Sequence, residues 1–154
     1  MKGKRELFAY CGIYCVDCLG YTGVIADGSE DFKKILDKYQ FHRTAKAVFP
    51  DELKEYDEFY KMLEFMTQLR CAGKCRKGED TPTSCEVRRC CREKGFFACY
   101  ECDELQTCEK LKHIHEDLHY ESALKNLLEI REMGLDEWLE KGTHHMYWDL
   151  SEDG

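Results

Sequence analysis

Cysteine spacing constrains this chain more than any other feature. Eleven cysteines occur in 154 residues. They read Cys11-x3-Cys15-x2-Cys18, then Cys71-x3-Cys75, then Cys85-x4-Cys90-Cys91, and finally Cys99-x2-Cys102-x5-Cys108. Two cysteines a few residues apart can direct both sulfurs at one metal ion from a single tight turn, and a second pair from elsewhere closes a tetrahedral site. Soft thiolates suit zinc or an iron–sulfur cluster. The expected candidate ligands are Cys11, Cys15, Cys18, Cys71, Cys75, Cys85, Cys90, Cys99, Cys102 and Cys108. One set is expected from Cys11, Cys15 and Cys18 with Cys71 or Cys75. A second is expected from Cys90, Cys99, Cys102 and Cys108, with Cys85 competing for a place. Cys90 and Cys91 are adjacent, so their side chains diverge on a helix and at most one is expected to serve a given ion.

The cysteines are read as ligands rather than disulfides. Met1–Glu6 carries charge straight into the short apolar Leu7–Tyr10, so no secretory signal is expected. No apolar run approaches the roughly 20 residues of a membrane helix. The expectation is a cytoplasmic protein without a membrane role, in a compartment where thiols stay reduced. The net charge of −8 opposes non-specific attraction to nucleic acid. The charge is uneven, with eight basic residues against four acidic ones between Arg70 and Lys94. That stretch also holds five cysteines, and nearby Lys and Arg compensate thiolate charge.

The fold expected is mainly α: a single small cysteine-rich domain over 1–154, with irregular metal-binding loops. Helical segments are expected at about 30–70 and 104–142, and cysteine regions at 11–18 and 71–108. Asp31–Leu36 reads as a short amphipathic helix. Pro50 is expected to open a helix running to about Arg70, with Leu53, Tyr56, Phe59, Tyr60, Leu63 and Met66 on its apolar side. Thr83-x-x-Glu86 resembles a capping box for a helix ending at Lys94, with Gly95 as its stop. Leu124, Leu127, Leu128 and Ile130 predict another helix, stopped by Gly134. A last short helix would turn Trp138 and Leu139 inward. Leu7–Tyr10 or Phe96–Cys99 could form a short strand pairing.

Two patterns hint at catalysis. His115-Glu116-x-x-His119 on one helix would set two histidines a turn apart for zinc, with Glu116 as general base of a hydrolase. The third ligand would have to come from Glu137, Glu140, His144 or His145, and no companion motif selects one. His113 or His115 could instead join Cys108 in a mixed site. Cys11-x3-Cys15-x2-Cys18 has the spacing of radical enzymes that hold an iron–sulfur cluster, but the barrel of such enzymes is not predicted here.

The same residues carry a resemblance. Cys11-Gly12-Ile13-Tyr14-Cys15-x-x-Cys18 with Tyr21, Cys71…Cys75-Arg76, Cys85-x-Val87-Arg88-x-Cys90, Cys99-x-x-Cys102 and Cys108-x-x-Leu111 resemble the cysteine-rich domain-of-unknown-function family numbered 3795. Asn126-Leu127 and Gly134-x3-Trp138-Leu139 resemble its helical tail. Leu19 replaces a usual proline, and Gln106-Thr107 replaces a usual Phe-Pro. The resemblance implies a small metal-binding protein and supplies no reaction. The function expected is a structural-zinc binding or interaction module with no catalytic residues, recognising an unknown protein or small molecule.

Overall fold

The computed structural model describes residues 2–71, 75–76, 85–115, 118–142 and 144–149, without the side chains of Lys2, Ile114 and His115. The described residues are mainly helical. In chain order the α-helices are α1 (Lys2–Arg5), α2 (Leu19–Thr22), α3 (Val24–Lys38), α4 (Phe41–Val48), α5 (Tyr56–Met66), α6 (Glu86–Lys94), α7 (Glu109–His115), α8 (Tyr120–Met133) and α9 (Leu135–Lys141). Single 3-10 turns occupy Cys15–Asp17, Cys99–Glu101, Leu105–Thr107 and Tyr147–Asp149. The chain forms two compact units. One joins Met1–Cys18 to Ala72–Gly154, and the other is Leu19–Cys71.

The first unit is built on Trp138, which is fully buried. Leu135, Trp138 and Leu139 face inward from α9, and Val87 and Cys91 do so from α6. Phe8 meets Trp138 edge-on at 5.4 Å and Tyr14 does so at 5.9 Å. Such aromatic pairs contribute about 0.5–1.5 kcal/mol each beyond the area they bury. Phe8 and Tyr14 also form an isolated antiparallel bridge. It closes a hairpin in which the Cys15 N–H donates to the Leu7 carbonyl at 2.8 Å and Ala9 to Ile13 at 2.8 Å.

Gly12 sits at the tip of this hairpin with φ of +97°. It lies against α8 so closely that a Cβ there would come within 2.7 Å of the Ala123 carbonyl oxygen and of Leu127 Cγ. Only glycine meets both demands. The buried Asn126 locks the arrangement. Its Nδ2 donates to the Gly12 carbonyl at 3.0 Å and to the His145 carbonyl at 2.9 Å, while its Oδ1 accepts from the His145 N–H at 2.8 Å.

Helix α6 ends as the sequence predicts. Gly95 takes φ of +70° and donates to Arg92, and Phe96 donates to Cys91 at 2.8 Å. This pair of bonds is a Schellman closure, which folds the following chain back over the helix end. Gly134 likewise ends α8, with φ of +88°. Thr83 lies outside the described residues.

The second unit packs α3 against α5, with α2 and α4 beside them. Its buried residues are few and small, Leu36 and Leu63 being the largest. Asp27 pairs with Arg70, and the Cys71 N–H donates to the Gly20 carbonyl at 2.7 Å. Pro50 does not open a helix: Pro50–Glu55 form turns, and α5 begins only at Tyr56. The helix expected at Asp31–Leu36 starts earlier, at Val24. Its first turns read Val24-Ile25-Ala26-Asp27-Gly28-Ser29, where the apolar residues run together instead of recurring at helical spacing.

Candidate functional site

Five cysteines from three segments line one cavity of about 20 Å³ in the first unit. Cys90 and Cys91 come from α6, Cys99 and Cys102 from the turn that follows the Schellman reversal, and Cys108 from the start of α7. Val87, Phe96 and Leu105 supply the apolar walls. A space of about 10–15 Å³ already accommodates one water-sized occupant. Cys91 Sγ and Cys99 Sγ lie 3.6 Å apart, and neither residue is in a disulfide. Zinc–sulfur bonds of about 2.3 Å place tetrahedral sulfurs about 3.8 Å apart, so this separation fits two thiolates sharing an ion. Among the described residues, no three Cys, His, Asp or Glu side chains already stand as a ligand set for a metal. The thiols share a cavity without sharing a centre.

Local geometry explains how the loops present these sulfurs. Both Cys-x2-Cys pairs adopt the same shape. Cys15–Asp17 and Cys99–Glu101 are single 3-10 turns, closed by Cys18 donating to Cys15 at 3.1 Å and Cys102 to Cys99 at 3.0 Å. The second cysteine of each pair is extended. Arg131 of α8 holds the latter turn by donating to the carbonyls of Tyr100 and Cys102. The Cys99 N–H donates to Tyr10 at 2.9 Å, which ties the turn to the N-terminal hairpin.

The electrostatics differ along the thiols. Cys91 is held below the ordinary thiol value by its hydrogen bond with Cys99, and Cys99 is correspondingly raised by that bond and then by burial. Lys94 Nζ lies 3.8 Å from Cys102 Sγ, and its own affinity for a proton rises through Cys102 and then Cys90.

A second group gathers around Cys11. Burial pushes that thiol up to about 12, and the nearby Cys75 and Cys85 add to the effect. Cys75 is raised by burial and by Cys85, while Arg88 and Arg76 act to lower it. Cys85 thus acts on the Cys11 and Cys75 thiols, and it does not line the cavity of Cys90. Arg76 anchors this segment. It donates from Nε to Phe8 at 2.6 Å and from Nη2 to Phe97 at 2.8 Å, and it stacks between the Phe97 and Tyr10 rings at 3.7 and 4.4 Å. Arg76, Arg88 and Lys94 of the Arg70–Lys94 stretch thus act on thiols, whereas Arg70 pairs with Asp27 and Arg89 with Glu86.

Cys91, outside the ligand set expected from the sequence, also lines the cavity. A signal was present, since Val87-x3-Cys91 marks one buried face of α6.

The His-Glu-x-x-His pattern does not lie on one continuous described helix. Helix α7 ends at His115, α8 begins at Tyr120, and His119 is the N-cap of α8. Glu116 and the His115 side chain are outside the described residues. The candidate third ligands His144 and His145 are engaged elsewhere. His144 Nδ1 meets Asp17 Oδ2 at 2.8 Å, and its ring packs 4.1 Å from that of Trp138. His145 Nε2 meets Glu129 Oε1 at 2.8 Å.

These features define a small, mainly helical protein with a thiol-lined cavity at the edge of an aromatic core. No helix of the described residues is long and apolar enough to cross a membrane. The chain belongs to the family described as "Protein of unknown function (DUF3795)", whose profile matches residues 7–113. No curated protein and no solved structure matches it.

Proposed function

We propose that this is a zinc-binding protein in which thiolates from α6, the Cys99–Cys102 turn and Cys108 hold one ion. The convergence of five cysteines from three segments on a single ion-sized cavity carries this reading. Cys99, Cys102 and Cys108 are the core of the set, completed by Cys90 or Cys91. Cys11, Cys75 and Cys85, with a fourth thiol from Cys15 or Cys18, would hold a second ion. Bound zinc supplies crosslinks between segments that have little regular structure, and its binding free energy adds to folding. The role is that of a structural module for binding another molecule, with no catalytic step.

Elemental analysis of anaerobically purified protein tests the reading. Two zinc ions per chain are expected, falling to one in Cys99→Ser, and chelation of the reduced protein should lower its thermal stability. A brown protein containing iron and sulfide would replace zinc by a cluster. A metal-free protein of unchanged stability would overturn the reading altogether.

A further inference from the structure

The second unit contains a pocket whose lining includes no cysteine. It has a volume of about 410 Å³ and lies between α3, α4, the turns after Pro50, and the start of α5. That is within the range of about 300–1,000 Å³ typical of small-molecule sites. Four aromatic rings line it: Phe32, Phe41, Tyr56 and Phe59. They form a connected set, with Phe32 and Phe59 edge-on at 6.2 Å, Phe41 and Tyr56 at 5.9 Å, and Tyr56 and Phe59 at 6.0 Å. Leu36 and Leu53 complete the apolar wall. The only other lining side chains are Glu52 and Glu55. Among the described residues no lysine, arginine or histidine lines it.

We infer that this pocket binds a small organic cation with an apolar body, such as an alkylated or aryl ammonium ion. The chemistry is set by what the walls offer. Aromatic faces are electron-rich and attract a cation whose hydration is weak. Two carboxylates without a compensating cation among the lining residues favour a positive ligand and repel a negative one. Phe32 and Phe59 remain 46% and 37% exposed in the absence of a ligand, so part of the apolar surface that an occupant would cover is available.

Phenyltrimethylammonium, titrated into the full-length protein by calorimetry, is the probe. Its neutral isostere tert-butylbenzene and the anion benzenesulfonate serve as comparisons. The cation should bind and the sulfonate should not. The double variant Glu52→Gln, Glu55→Gln removes two exposed charges without altering packing. It should lose about tenfold in affinity for the cation and be unchanged toward tert-butylbenzene. Phe59→Ala should weaken both. Equal binding of cation and sulfonate would overturn the inference, as would a double variant that binds the cation like the parent. Absence of binding by the cation would do the same. A dimer that the cation fails to dissociate would also refute it, by making this face a contact between copies.

Discussion

Gly12→Ala tests whether the hairpin tip is seated on α8 as tightly as the distances say. Two costs combine. An alanine at φ of +97° is in a backbone region that L side chains avoid, at about 1–2 kcal/mol. Its Cβ would also stand 2.7 Å from a backbone oxygen and 2.7 Å from a buried leucine carbon. Ala123 and Leu127 are both fully buried, so neither can yield easily. Overpacking of that kind costs about 1–3 kcal/mol. A total near 3 kcal/mol corresponds to a fall in melting temperature of about 6–12 °C for a chain of this size. Both tryptophans, Trp138 and Trp148, belong to the first unit, so tryptophan fluorescence follows its melting directly. Gly28→Ala is the matched comparison. Gly28 lies inside α3 with nothing within 4 Å of its would-be Cβ. There alanine should stabilise the second unit by about 0.5–1 kcal/mol, read by far-ultraviolet circular dichroism. A Gly12→Ala protein whose tryptophan melt stays within about 1 °C of the parent would refute the reasoning, since either cost alone predicts a shift of at least about 2 °C.

Three other perturbations have defined outcomes. Asn126→Ala strips partners from two carbonyls and one N–H in a buried position and should cost about 3 kcal/mol, measured by urea titration of tryptophan fluorescence. Arg76→Lys keeps the charge but cannot span the Phe8 and Phe97 carbonyls or stack as a plane. It should lower the urea midpoint by about 1 M, and an unchanged midpoint would dismiss Arg76 as an anchor. Burial pushes Glu129 up, but hydrogen bonds from His145 and Lys141 outweigh it and hold the carboxyl below its ordinary value. A group depressed in the folded state contributes stability above its unfolded pKa, and that contribution disappears as pH falls through the folded one. Glu129→Gln should therefore flatten the acid side of the stability profile below about pH 4.5, leaving the stability difference largest near neutrality.

Local signals in the sequence located some elements well. Gly95 after Lys94 marked the end of α6, and Gly134 with Trp138 and Leu139 marked α9, because helix stops and short apolar faces are properties of a few neighbouring residues. Helix α4 falls within the helical segment expected at about 30–70, but its bounds were not legible. Its start at Phe41 follows Gln40, which adopts φ of 47° rather than an ordinary capping shape. Pro50 and its acidic neighbours mimicked a helix start that the chain uses as turns. Cys90, Cys99, Cys102 and Cys108, grouped from the sequence, do line one cavity, but the place of Cys91 beside Cys99 was not legible. Which segments meet is decided by the Schellman reversal after α6, which carries Cys99 to 3.6 Å from Cys91. Spacing within a segment holds no information about that reversal. The His-Glu-x-x-His motif presumes that His119 lies within a helix begun before it, and His119 is instead the N-cap of α8.

The Asn126 clamp joins Gly12 to residues more than a hundred positions later, and Phe8 waits as long for Trp138. A ribosome adding about 5–20 residues per second needs between about 5 and 25 s to span that gap. Throughout that interval Cys11, Cys15 and Cys18 have emerged without the partners that shelter Cys11 in the finished protein. The nascent chain is thus most open to oxidants and stray copper before its last helix leaves the exit tunnel, and newly made protein should be its most vulnerable form.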